Sequence, residues 1–392
     1  MQVIKRNRTS TARIAILGGG NAGRGLAGYM SLHGLDVALY NRTLENVRGI
    51  IDLGGLDVHG VIEGYAQIPL VTSNMARAIR NREILIVTAP AQAHGFFAHK
   101  MAPHLDDDQL VLLMPGRTGG ALEFAHIFES YPNTRNILLG EAQTFSFVSR
   151  TTGISSVKVS KIKNLVRVSA FPASASQEFL KRLGDLPLAL ELANDVMETG
   201  LNNVGAMLHP TPTILSAGLL ESRRGGYNHY HDAISESVGR LIERMDAERV
   251  NVASQFSPYP MTLLEWLEDA YDAKGNSLRE CIQSIDAYDG VGSPESLQHR
   301  YVLEDIPTGL VPISNLGDLC GVETPAIDVV IEMACQLYEC DFRRTGRSLA
   351  NMGLAGMNPQ EVAEYVELGV RPAEWSSFPS IYDLYEVEVD ET

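Results

Sequence analysis

Cysteine is scarce in this 392-residue sequence, and none of its four cysteines forms a C-x-x-C pair. This spacing excludes a zinc framework of paired cysteines and a dense disulfide network. The ten histidines include no H-E-x-x-H motif, and we expect no metal site. The thiols are expected to be reduced and packed, as in a cytoplasmic protein; they are Cys281, Cys320, Cys335 and Cys340.

Long apolar runs and an excess of basic residues are also lacking. No run approaches the roughly 20 residues of a membrane helix. The basic residues at the N-terminus precede no apolar segment of the kind found in a secretory signal. The net charge is -16, whereas sequence-independent nucleic-acid binding requires a basic face. We therefore expect neither a membrane nor a nucleic acid as partner.

What the sequence does contain is a glycine-rich turn between a strand pattern and a helix pattern. The apolar run 12–17 leads into Gly18-Gly-Gly20-Asn21-Ala22-Gly23. In a dinucleotide-binding G-x-G-x-x-G unit, the three spaced glycines form the tight turn, admit a pyrophosphate and let the helix pack closely. Asn21 and Ala22 open the helix, whose free N–H groups attract phosphate. The turn predicts a dinucleotide site, and the alternative is an ordinary βα turn.

A carboxylate is missing where an NAD site usually has one, at the end of the second strand. The strand 36–40 ends in Asn41-Arg42-Thr43. NAD sites place Asp or Glu about 20 residues after the glycines to hold the ribose 2′-hydroxyl, whereas a nearby arginine suits a 2′-phosphate. Arg42 offers a planar fork to phosphate oxygens, and Asn41 and Thr43 add hydrogen bonds. The sequence thus favours NADP(H) over NAD(H), with a solvated loop arginine as the alternative.

Further apolar runs, at 84–88, 110–114 and 136–139, are typical of buried parallel strands. Loops after such strands bind ligands in open α/β sheets. Ala89 and Pro90 follow one strand and Gly116 follows the next, so we predict that they line the cofactor site, unless they only form tight turns. Two antiparallel pairs are also predicted, one within 58–68 and one between 156–160 and 165–169.

The pattern changes from strands to helices in the second half of the chain. Amphipathic periods predict helices at 229–250, 325–340 and 359–368. A chain of 392 residues exceeds a usual single core. We predict an α/β domain with a doubly wound Rossmann-type sheet at residues 1–185 and an all-α substrate domain at residues 186–392. Ligands of such enzymes usually bind in the cleft between the two domains.

His209 is the sharpest candidate for chemistry in the helical half. Pro210 disfavours helical geometry at the preceding residue, so the helix is predicted to end at His209. A helix C-terminus favours a protonated imidazole, which makes His209 a candidate acid. Asn202 lies on about the same helical face and is predicted to contact the ligand. The alternative for His209 is a capping or core histidine.

The segment 298–307 supplies two further candidates. Arg300 could clamp a substrate carboxylate in a bidentate pair, and Asp305 could orient an imidazole. From the residues alone, a surface ion-pair cluster before a proline-terminated turn is the simpler interpretation.

Together with the glycine turn, these residues resemble the opine dehydrogenases, the octopine and nopaline dehydrogenase family. The family's His-Pro is matched by His209-Pro210. Its block of Arg, four residues and Asp, followed by Pro and Gly, is matched by Arg300, Asp305, Pro307 and Gly309. The resemblance implies that His209, Arg300 and Asp305 act together at the substrate, in a chain with a Rossmann domain followed by a helical domain.

A further family segment, Glu-x-Asn-x-Leu-Pro-Tyr-x-x-Arg, is similar to residues 141–150. Gln143 stands in place of the family asparagine, Ser146 in place of proline and Phe147 in place of tyrosine. The resemblance assigns Gln143 a substrate contact, and the replacements bear on the substrate class.

The implied reaction is NAD(P)H-dependent condensation of a 2-oxo acid, such as pyruvate, with the amino group of an amino acid to give a secondary-amine dicarboxylate. His209 would be the general acid, Asp305 would hold its other ring nitrogen, and Arg300 would fix the oxo-acid carboxylate. Two alternatives stay open: direct carbonyl reduction, as in a ketopantoate reductase or 2-hydroxy-acid dehydrogenase, and a non-catalytic dinucleotide sensor. The oligomeric state is also open, and a homodimer is compatible with the pattern.

Overall fold

The structure is a computed structural model that describes residues 12–223, 225–257 and 260–371. The chain divides into two units. Of the described residues, the first unit contains 12–116, 120–196 and 366–369, and the second contains 117–119, 197–365 and 370–371. The domain boundary at residue 185 stays a prediction; the strand Leu190–Leu192, which follows it, belongs to the sheet of the first unit.

The strands of the first unit form two sheets. In chain order they are β1 (Arg13–Leu17), β2 (Asp36–Tyr40), β3 (Gly55–Gly60), β4 (Gly64–Gln67), β5 (Leu70–Thr72), β6 (Ile84–Val87), β7 (Leu110–Leu113), β8 (Leu138–Ala142), β9 (Phe147–Gly153), β10 (Ser156–Ile162), β11 (Val166–Phe171) and β12 (Leu190–Leu192).

The larger sheet has eight strands in the order β12-β11-β8-β7-β6-β1-β2-β5. The neighbours from β8 to β5 all pair in parallel, whereas β11 runs antiparallel to β8. This arrangement confirms the predicted doubly wound α/β fold. The strand order reverses at β1, between β6 and β2, and ligands of open α/β sheets bind at such a switch point. The glycine turn directly follows β1 and therefore lies at this point.

The smaller sheet has the order β4-β3-β10-β9. The antiparallel pairing of β3 with β4 confirms the predicted hairpin within 58–68. The predicted pairing of 156–160 with 165–169 is wrong, because β10 pairs with β9 and β3 while β11 pairs with β8 and β12 in the larger sheet. The tight turn at residues 154–155 gives β10 an antiparallel partner earlier in the chain than the one predicted.

Six α-helices accompany these strands among the described residues of the first unit. They are α1 (Asn21–Leu32), α2 (Arg48–Leu53), α3 (Met75–Ile79), α4 (His94–Met101), α5 (Gly120–Phe128) and α6 (Ser176–Leu183). Helix α1 packs closely on the smaller sheet through its glycines, since a Cβ on Gly28 would lie 2.6 Å from Cγ2 of Val58. The helix that opens at the glycine turn is thus fixed along its length.

The second unit is helical. Its α-helices are α7 (Val196–Leu201), α8 (Gly205–Leu208), α9 (Pro210–Leu215), α10 (Ala217–Arg223), α11 (Glu236–Ala253), α12 (Leu263–Tyr271), α13 (Leu278–Gln283), α14 (Arg300–Leu303), α15 (Val311–Cys320), α16 (Pro325–Tyr338), α17 (Phe342–Thr345) and α18 (Pro359–Leu368), although α7 begins and α18 ends in residues of the first unit. In the described part of this unit the only β-structure is an isolated bridge between Asn228 and Gly292. The predicted helices at 325–340 and 359–368 are confirmed as α16 and α18.

The predicted helix at 229–250 begins later than expected. Helix α11 starts at Glu236, where the Ser235 hydroxyl accepts from the N–H of Val238 over 3.3 Å and caps the first turn. The residues before it are held in a loop because Oδ1 of Asn228 accepts from the N–H groups of Tyr230 and His231. His229 and His231 consequently lie outside the helix.

Short 3₁₀ helices span Leu44–Val47, Ala91–Ala93, Ala102–His104, Pro132–Thr134, Ala173–Ala175 and Asp286–Tyr288, and a π-helical segment, Ile306–Leu310, joins α14 to α15. Across the residues that the structure describes, every helix is too short or too polar to cross a membrane. The same residues include no group of three or more His, Cys, Asp or Glu side chains arranged to hold a metal ion.

Candidate active site

The glycine turn after β1 packs as closely as its motif predicts. Gly18 has φ = 129°, which side chains rarely adopt, and its N–H donates to Tyr40 O over 2.9 Å. A Cβ on Gly23 would lie 1.7 Å from Gly18 O, so only glycine lets α1 begin this close to β1. The Thr88 hydroxyl, which follows β6, donates to Gly18 O over 2.9 Å and fixes the turn from the neighbouring strand.

Gly20 differs from these glycines because the space around it is open. A Cβ built on Gly20 meets no atom within 4 Å. Gly20 is also the N-cap of α1 and provides no side-chain cap. The N–H groups of the first helical turn therefore point toward a position where an anion can bind. Of the two predicted residues that follow, Ala22 is half-buried, and Asn21 accepts from Thr151 N–H over 2.8 Å.

The end of β2 is fastened to the glycine turn by Asn41. Its Oδ1 accepts from Gly19 N–H over 3.0 Å, and its Nδ2 donates to Thr43 O over 2.7 Å. Arg42 is exposed, and its guanidinium carbon lies 5.8 Å from the centre of the Phe96 ring. The structure thus places the predicted 2′-phosphate residues beside the turn, with the guanidinium at the surface.

Arg24 adds a buried cation to this part of the first unit. Its Nε donates to Gly19 O over 3.0 Å and Nη1 to Ile154 O over 3.2 Å, while Nη2 bonds to Asn46 O. Burial lowers the pKa of Arg24 below its usual value. One guanidinium therefore joins the glycine turn, the loop after β2 and the β9–β10 turn.

The strand-end loops place Ala89 against the glycine turn. A Cβ on Gly18 would lie 3.0 Å from Ala89 N, whereas the next residue, Pro90, is exposed. Gly116 lies instead against β8, where a Cβ would come within 2.1 Å of Glu141 Oε2.

Gln143 follows β8 in the first unit. It is half-buried, and its backbone N–H donates to Arg167 O over 2.9 Å. The sheet therefore fixes its backbone at the end of the strand.

In the second unit, His209 lies at the junction of two short helices. Helix α8 ends at Leu208 and α9 begins at Pro210, where proline is tolerated as the first helical residue. His209 keeps φ = -97° and ψ = -53°, close to helical values. The predicted helix end is correct, but the argument from the helix dipole is not, because the positive end of α9 adjoins the negative end of α8.

His209 and Asp305 are brought together directly. Nδ1 of His209 lies 2.7 Å from Oδ2 of Asp305. The His209 side chain is 14% exposed and that of Asp305 is 1% exposed. The alternative interpretation of Asp305 as part of a surface cluster is therefore wrong.

The backbone next to Asp305 does not turn away at Pro307, as a proline-terminated turn would require. Asp305 instead precedes the π-helical segment Ile306–Leu310, which continues into α15. Single π-turns of this kind are frequent at functional sites.

Arg300 opens α14, one turn before this carboxylate. Its side chain is 52% exposed, and Nη1 lies 3.6 Å from Oε2 of Glu304. Its guanidinium carbon lies 5.8 Å from the centre of the Tyr301 ring. Arg300 therefore combines one loose ion pair with an accessible guanidinium.

Arg117 is a site residue that the sequence-based prediction missed. Nη1 lies 3.4 Å from Oδ1 of Asp305, and Nε donates to Oε1 of Glu304 over 3.4 Å. Nη1 also donates to Oδ1 of Asn203 over 3.0 Å. The signal that could have identified it is an arginine among glycines immediately after a buried strand, in Pro115-Gly-Arg-Thr-Gly-Gly120.

These contacts fix the charges of the site. Burial by itself raises the pKa of Asp305, but the charges of Arg117 and His209 outweigh burial and lower it. Burial opposes the charge of Arg117 as well, yet Asp305 and Glu304 raise its pKa. At neutral pH both members of the Arg117–Asp305 pair are therefore charged.

Aromatic rings surround the His209 imidazole. Tyr301 stacks on it, with ring centroids 4.2 Å apart and planes 13° from parallel. His229 lies 4.7 Å from the Tyr301 ring and 6.5 Å from the His209 ring. Burial and then the charge of His209 lower the pKa of His229 to about 3. Burial, followed by the charges of Arg300 and His209, also lowers the pKa of His299. Both neighbouring histidines are therefore neutral at neutral pH.

Asn202 is not on the helix that ends at Leu208. Helix α7 stops at Leu201, and α8 starts only at Gly205. Oδ1 of Asn202 accepts from Nη1 of Arg249 over 3.3 Å in the buried interior. Asparagine and glycine are weak helix formers, which explains the break that the seven-residue spacing did not predict.

Comparison with known proteins gives two family matches. Residues 192–338 match the family described as NAD/NADP octopine/nopaline dehydrogenase, alpha-helical domain. Residues 14–157 match the family described as ketopantoate reductase PanE/ApbA.

Several solved structures share the fold. Octopine dehydrogenase, solved with NADH and L-arginine, superposes with a TM-score of 0.73 at 20% identity over 92% of this chain and 99% of that one. The same enzyme with NADH and pyruvate gives 0.71 over the same shares, also at 20% identity. Yersinopine dehydrogenase with NADP⁺ gives 0.70 at 15% identity, over 91% of this chain and 98% of that one.

Sequence similarity is higher to the opine dehydrogenase of Arthrobacter sp. (strain 1C). The two sequences are 33% identical over 354 residues, which cover 90% of this chain and 98% of that enzyme. On this similarity, the chain belongs to the opine dehydrogenases and is an NAD(P)H-dependent oxidoreductase.

Proposed function

We propose that this enzyme condenses a 2-oxo acid of the pyruvate class with the amino group of an amino acid, and reduces the product to a secondary-amine dicarboxylate with NADPH in preference to NADH. The observation that carries the proposal is the 2.7 Å contact between His209 Nδ1 and Asp305 Oδ2, with Arg300 one turn earlier on α14. A proton donor, its orienting carboxylate and an anion-binding guanidinium are the groups that this reaction requires.

The residues around the glycine turn fit a dinucleotide. Gly20 leaves room for a pyrophosphate, and the uncapped start of α1 supplies N–H groups and a positive helix end. Ala89, Pro90 and Gly116 would line the remaining part of the cofactor site. The bound NAD(P)H supplies the hydride that reduces the imine carbon.

The preference for NADPH rests on the end of β2. Asn41 is held against the glycine turn and Arg42 remains exposed, so a 2′-phosphate there would meet an arginine and no carboxylate. Solved relatives include complexes with NADH and with NADP⁺, so the cofactor preference has to be inferred from the residues of each sequence. In this chain Arg42, Asn41 and Thr43 are the residues that favour NADPH.

His209 would act through its Nε2 atom. Asp305 accepts from Nδ1–H, and this hydrogen bond leaves Nε2 to exchange a proton with the substrate. The carbinolamine formed from the oxo acid and the amine loses its hydroxyl as water only when that oxygen receives a proton. Nε2–H supplies it, and the Asp305 carboxylate stabilises the imidazolium before transfer.

Arg300 would bind the carboxylate of the oxo acid. Its half-exposed guanidinium can form two parallel hydrogen bonds to a carboxylate, because its 3.6 Å contact to Glu304 is long. Binding in this way fixes the orientation of the carbonyl carbon. Gln143 is proposed to contact the substrate as well.

The test is a panel of amino acids combined with pyruvate, 2-oxoglutarate and glyoxylate, with loss of NADPH and NADH followed in parallel. We expect oxidation of NADPH only when both an oxo acid and an amine are present, with a secondary amine as the product by mass spectrometry. NADPH oxidation with an oxo acid alone would assign direct carbonyl reduction instead. Binding of NADPH without turnover on any pair would assign a dinucleotide sensor.

The cofactor preference is tested separately with Arg42→Ala. A charge-assisted contact to phosphate contributes about 1.5–3 kcal/mol, so kcat/KM for NADPH should fall roughly ten- to a hundredfold while kcat/KM for NADH changes little. Arg48→Ala is the matched control, since Arg48 is an exposed arginine six positions later that pairs with Asp52. Equal losses with both cofactors in Arg42→Ala would contradict the proposed role.

A further inference from the structure

We infer that Arg117 is a positioning residue of the active site: its guanidinium holds Asp305 in place and in its charged form, so that Asp305 can orient the His209 ring. This inference rests on the proposed function of His209 and Asp305. Arg117 itself has no assigned role, and it acts on the substrate only through these two residues.

The two carboxylate oxygens of Asp305 contact two different basic side chains. His209 takes Oδ2 at 2.7 Å, and Nη1 of Arg117 lies 3.4 Å from Oδ1. The Arg117 side chain is 10% exposed and that of Asp305 is 1% exposed. Because one oxygen of this buried carboxylate forms the ion pair with Arg117 and the other forms the hydrogen bond with His209, rotation of Asp305 would break both contacts. The orientation of the imidazole therefore depends on the guanidinium.

A second buried carboxylate also contacts Arg117. Glu304 adjoins Asp305 in sequence, its side chain is 4% exposed, and Nε of Arg117 donates to its Oε1. The Arg117 guanidinium therefore contacts both buried carboxylates through different nitrogen atoms.

The other charged or titratable groups that act on Asp305 do not replace Arg117. These groups are His209, Arg300, Glu304, His299 and Tyr230. Arg300 is half-exposed and assigned to the substrate carboxylate, and His299 and Tyr230 are neutral at neutral pH. Arg117 is therefore the buried permanent cation of this group.

The backbone conformation at Arg117 indicates that surrounding contacts hold this segment in place. Arg117 has φ = 60°, a left-handed conformation that is unfavourable for a non-glycine residue. The neighbouring Thr118 is fixed on two sides, since its Oγ1 donates to Gly200 O over 2.9 Å and its carbonyl accepts from Nη1 of Arg347 over 2.7 Å. The second unit thus holds the segment in a conformation that directs the guanidinium to Asp305.

Helix α8 leaves room for this guanidinium through Gly205. A Cβ on Gly205 would lie 2.7 Å from Nη1 of Arg117 and 3.4 Å from Cε1 of His209. The Gly205→Ala substitution therefore displaces the guanidinium while every charged group remains present. This variant therefore tests the position of the Arg117 guanidinium without removing its charge.

The competing explanation is that Arg117 only stabilises the fold. Arg249 is a buried, ion-paired arginine with such a role. Arg249 is fully buried, pairs with Asp246 at 2.6 Å and also donates to Leu201 O and Met261 O. Among the described residues, no hydrogen bond or ion pair joins it to Asp305 or His209. Arg249→Gln is therefore a matched control for the loss of a buried, ion-paired arginine.

The experiment compares full-length wild type, Arg117→Gln, Arg117→Lys, Gly205→Ala and Arg249→Gln. Steady-state kinetics with NADPH, oxo acid and amine give kcat, KM and their pH profiles. In Arg117→Gln, kcat should fall about a hundredfold, as for a misplaced catalytic group, with a much smaller change in KM for the oxo acid. The acid limb of kcat should move to higher pH, because Asp305 is protonated more readily without the cation. Arg117→Lys should recover part of both effects, and Gly205→Ala should show both in weaker form.

A second readout does not depend on turnover. The short His209–Asp305 hydrogen bond should give a low-field proton resonance at acidic pH, assigned by its loss in His209→Ala. We expect that resonance to be lost in Arg117→Gln and retained in Arg249→Gln, which should lower thermal stability but leave the acid limb in place.

The inference is overturned if folded Arg117→Gln keeps the wild-type pH profile and the low-field resonance, or if Arg249→Gln shifts both equally. If Arg117→Gln does not fold, Gly205→Ala and Arg117→Lys decide by the same two criteria. Absence of condensation by the wild type would refute the proposed function alone, because the resonance still reports whether Arg117 fixes the pair.

Discussion

Asp305 Oδ2 lies 2.7 Å from His209 Nδ1, although the two residues are 96 positions apart in the chain. The carboxylate is buried, and its charge is maintained by a guanidinium on its other oxygen. An anion in this position fixes the imidazole with a proton on Nδ1 and directs Nε2 away from the carboxylate. The contact therefore determines which nitrogen can act on the substrate.

Asp305→Asn should abolish most of the activity while keeping the shape of the site. An asparagine can present an N–H to Nδ1 and so favour the opposite tautomer, which in another His-centred site costs roughly 10⁴-fold in kcat. We expect kcat for the condensation to fall by about 10³- to 10⁴-fold, with NADPH affinity within about twofold of wild type. Stopped-flow or steady-state assays and NADPH titration measure the two quantities.

The control is Asp246→Asn in the same unit. Asp246 is also buried and pairs with an arginine, but it caps the chain at Leu263 N–H rather than holding an imidazole. It should lower thermal stability with little loss of kcat in the folded protein. Equal losses of kcat in the two variants would show that Asp305 is needed only for stability.

Arg300→Ala should affect the oxo acid and leave the cofactor unaffected. Removing a bidentate contact worth about 1.5–3 kcal/mol should lower kcat/KM for the oxo acid roughly ten- to a hundredfold. The Kd for NADPH should not change. Arg343→Ala is the control, because Arg343 is similarly exposed and pairs with Asp328 at 2.7 Å. Unchanged oxo-acid kinetics in Arg300→Ala would remove Arg300 from the substrate site.

The glycine turn could be predicted from sequence because all of its determinants are local. The strand, the three glycines and the helix follow each other within 20 residues, and the pattern alone indicated where Gly18 and Gly23 need the absence of a side chain. The strands β6 and β7 were predictable for a similar reason, since continuous apolar runs indicate strands covered on both faces.

Pairings between distant segments were not predictable in this way. β11 lies beside β8 rather than β10, and β10 pairs instead with β9 across the tight turn at residues 154–155. The role of Arg117 was hidden for the same reason, since Arg117 and Glu304 are 187 positions apart. Asn202 was misplaced because a seven-residue spacing implies a shared face only if the helix is continuous.

Gly20→Ala should weaken dinucleotide binding without destabilising the protein. Gly20 has φ = -78°, which alanine adopts without strain, and a Cβ there meets no protein atom within 4 Å. The added methyl would occupy the space proposed for the pyrophosphate, so Kd for NADPH should rise about tenfold or more, equivalent to roughly 1.4 kcal/mol. Titration by protein fluorescence and thermal unfolding of the apoprotein measure both effects.

Gly23→Ala provides the contrast, since its Cβ would overlap Gly18 O at 1.7 Å. It should lower the free energy of unfolding by about 1–3 kcal/mol, as overpacking does. If Gly20→Ala instead bound NADPH with wild-type affinity, the pyrophosphate would not bind beside Gly20.

His229 should make the stability of the protein depend on acid pH. Its side chain is buried, and burial together with the charge of His209 lowers its pKa from 6.5 to about 3. The unfolded chain therefore binds a proton in this range and the folded protein does not, so the stability that is fully present above pH 6.5 is lost as the pH falls toward 3. This residue contributes a slope of at most about 1.4 kcal/mol per pH unit.

In His229→Gln, which cannot be protonated, denaturant unfolding between these pH values should show a shallower slope than the wild type. His231→Gln, two positions later, controls for the replacement of a histidine by glutamine in the same loop. Parallel pH dependences for wild type and His229→Gln would mean that His229 is protonated in the folded protein.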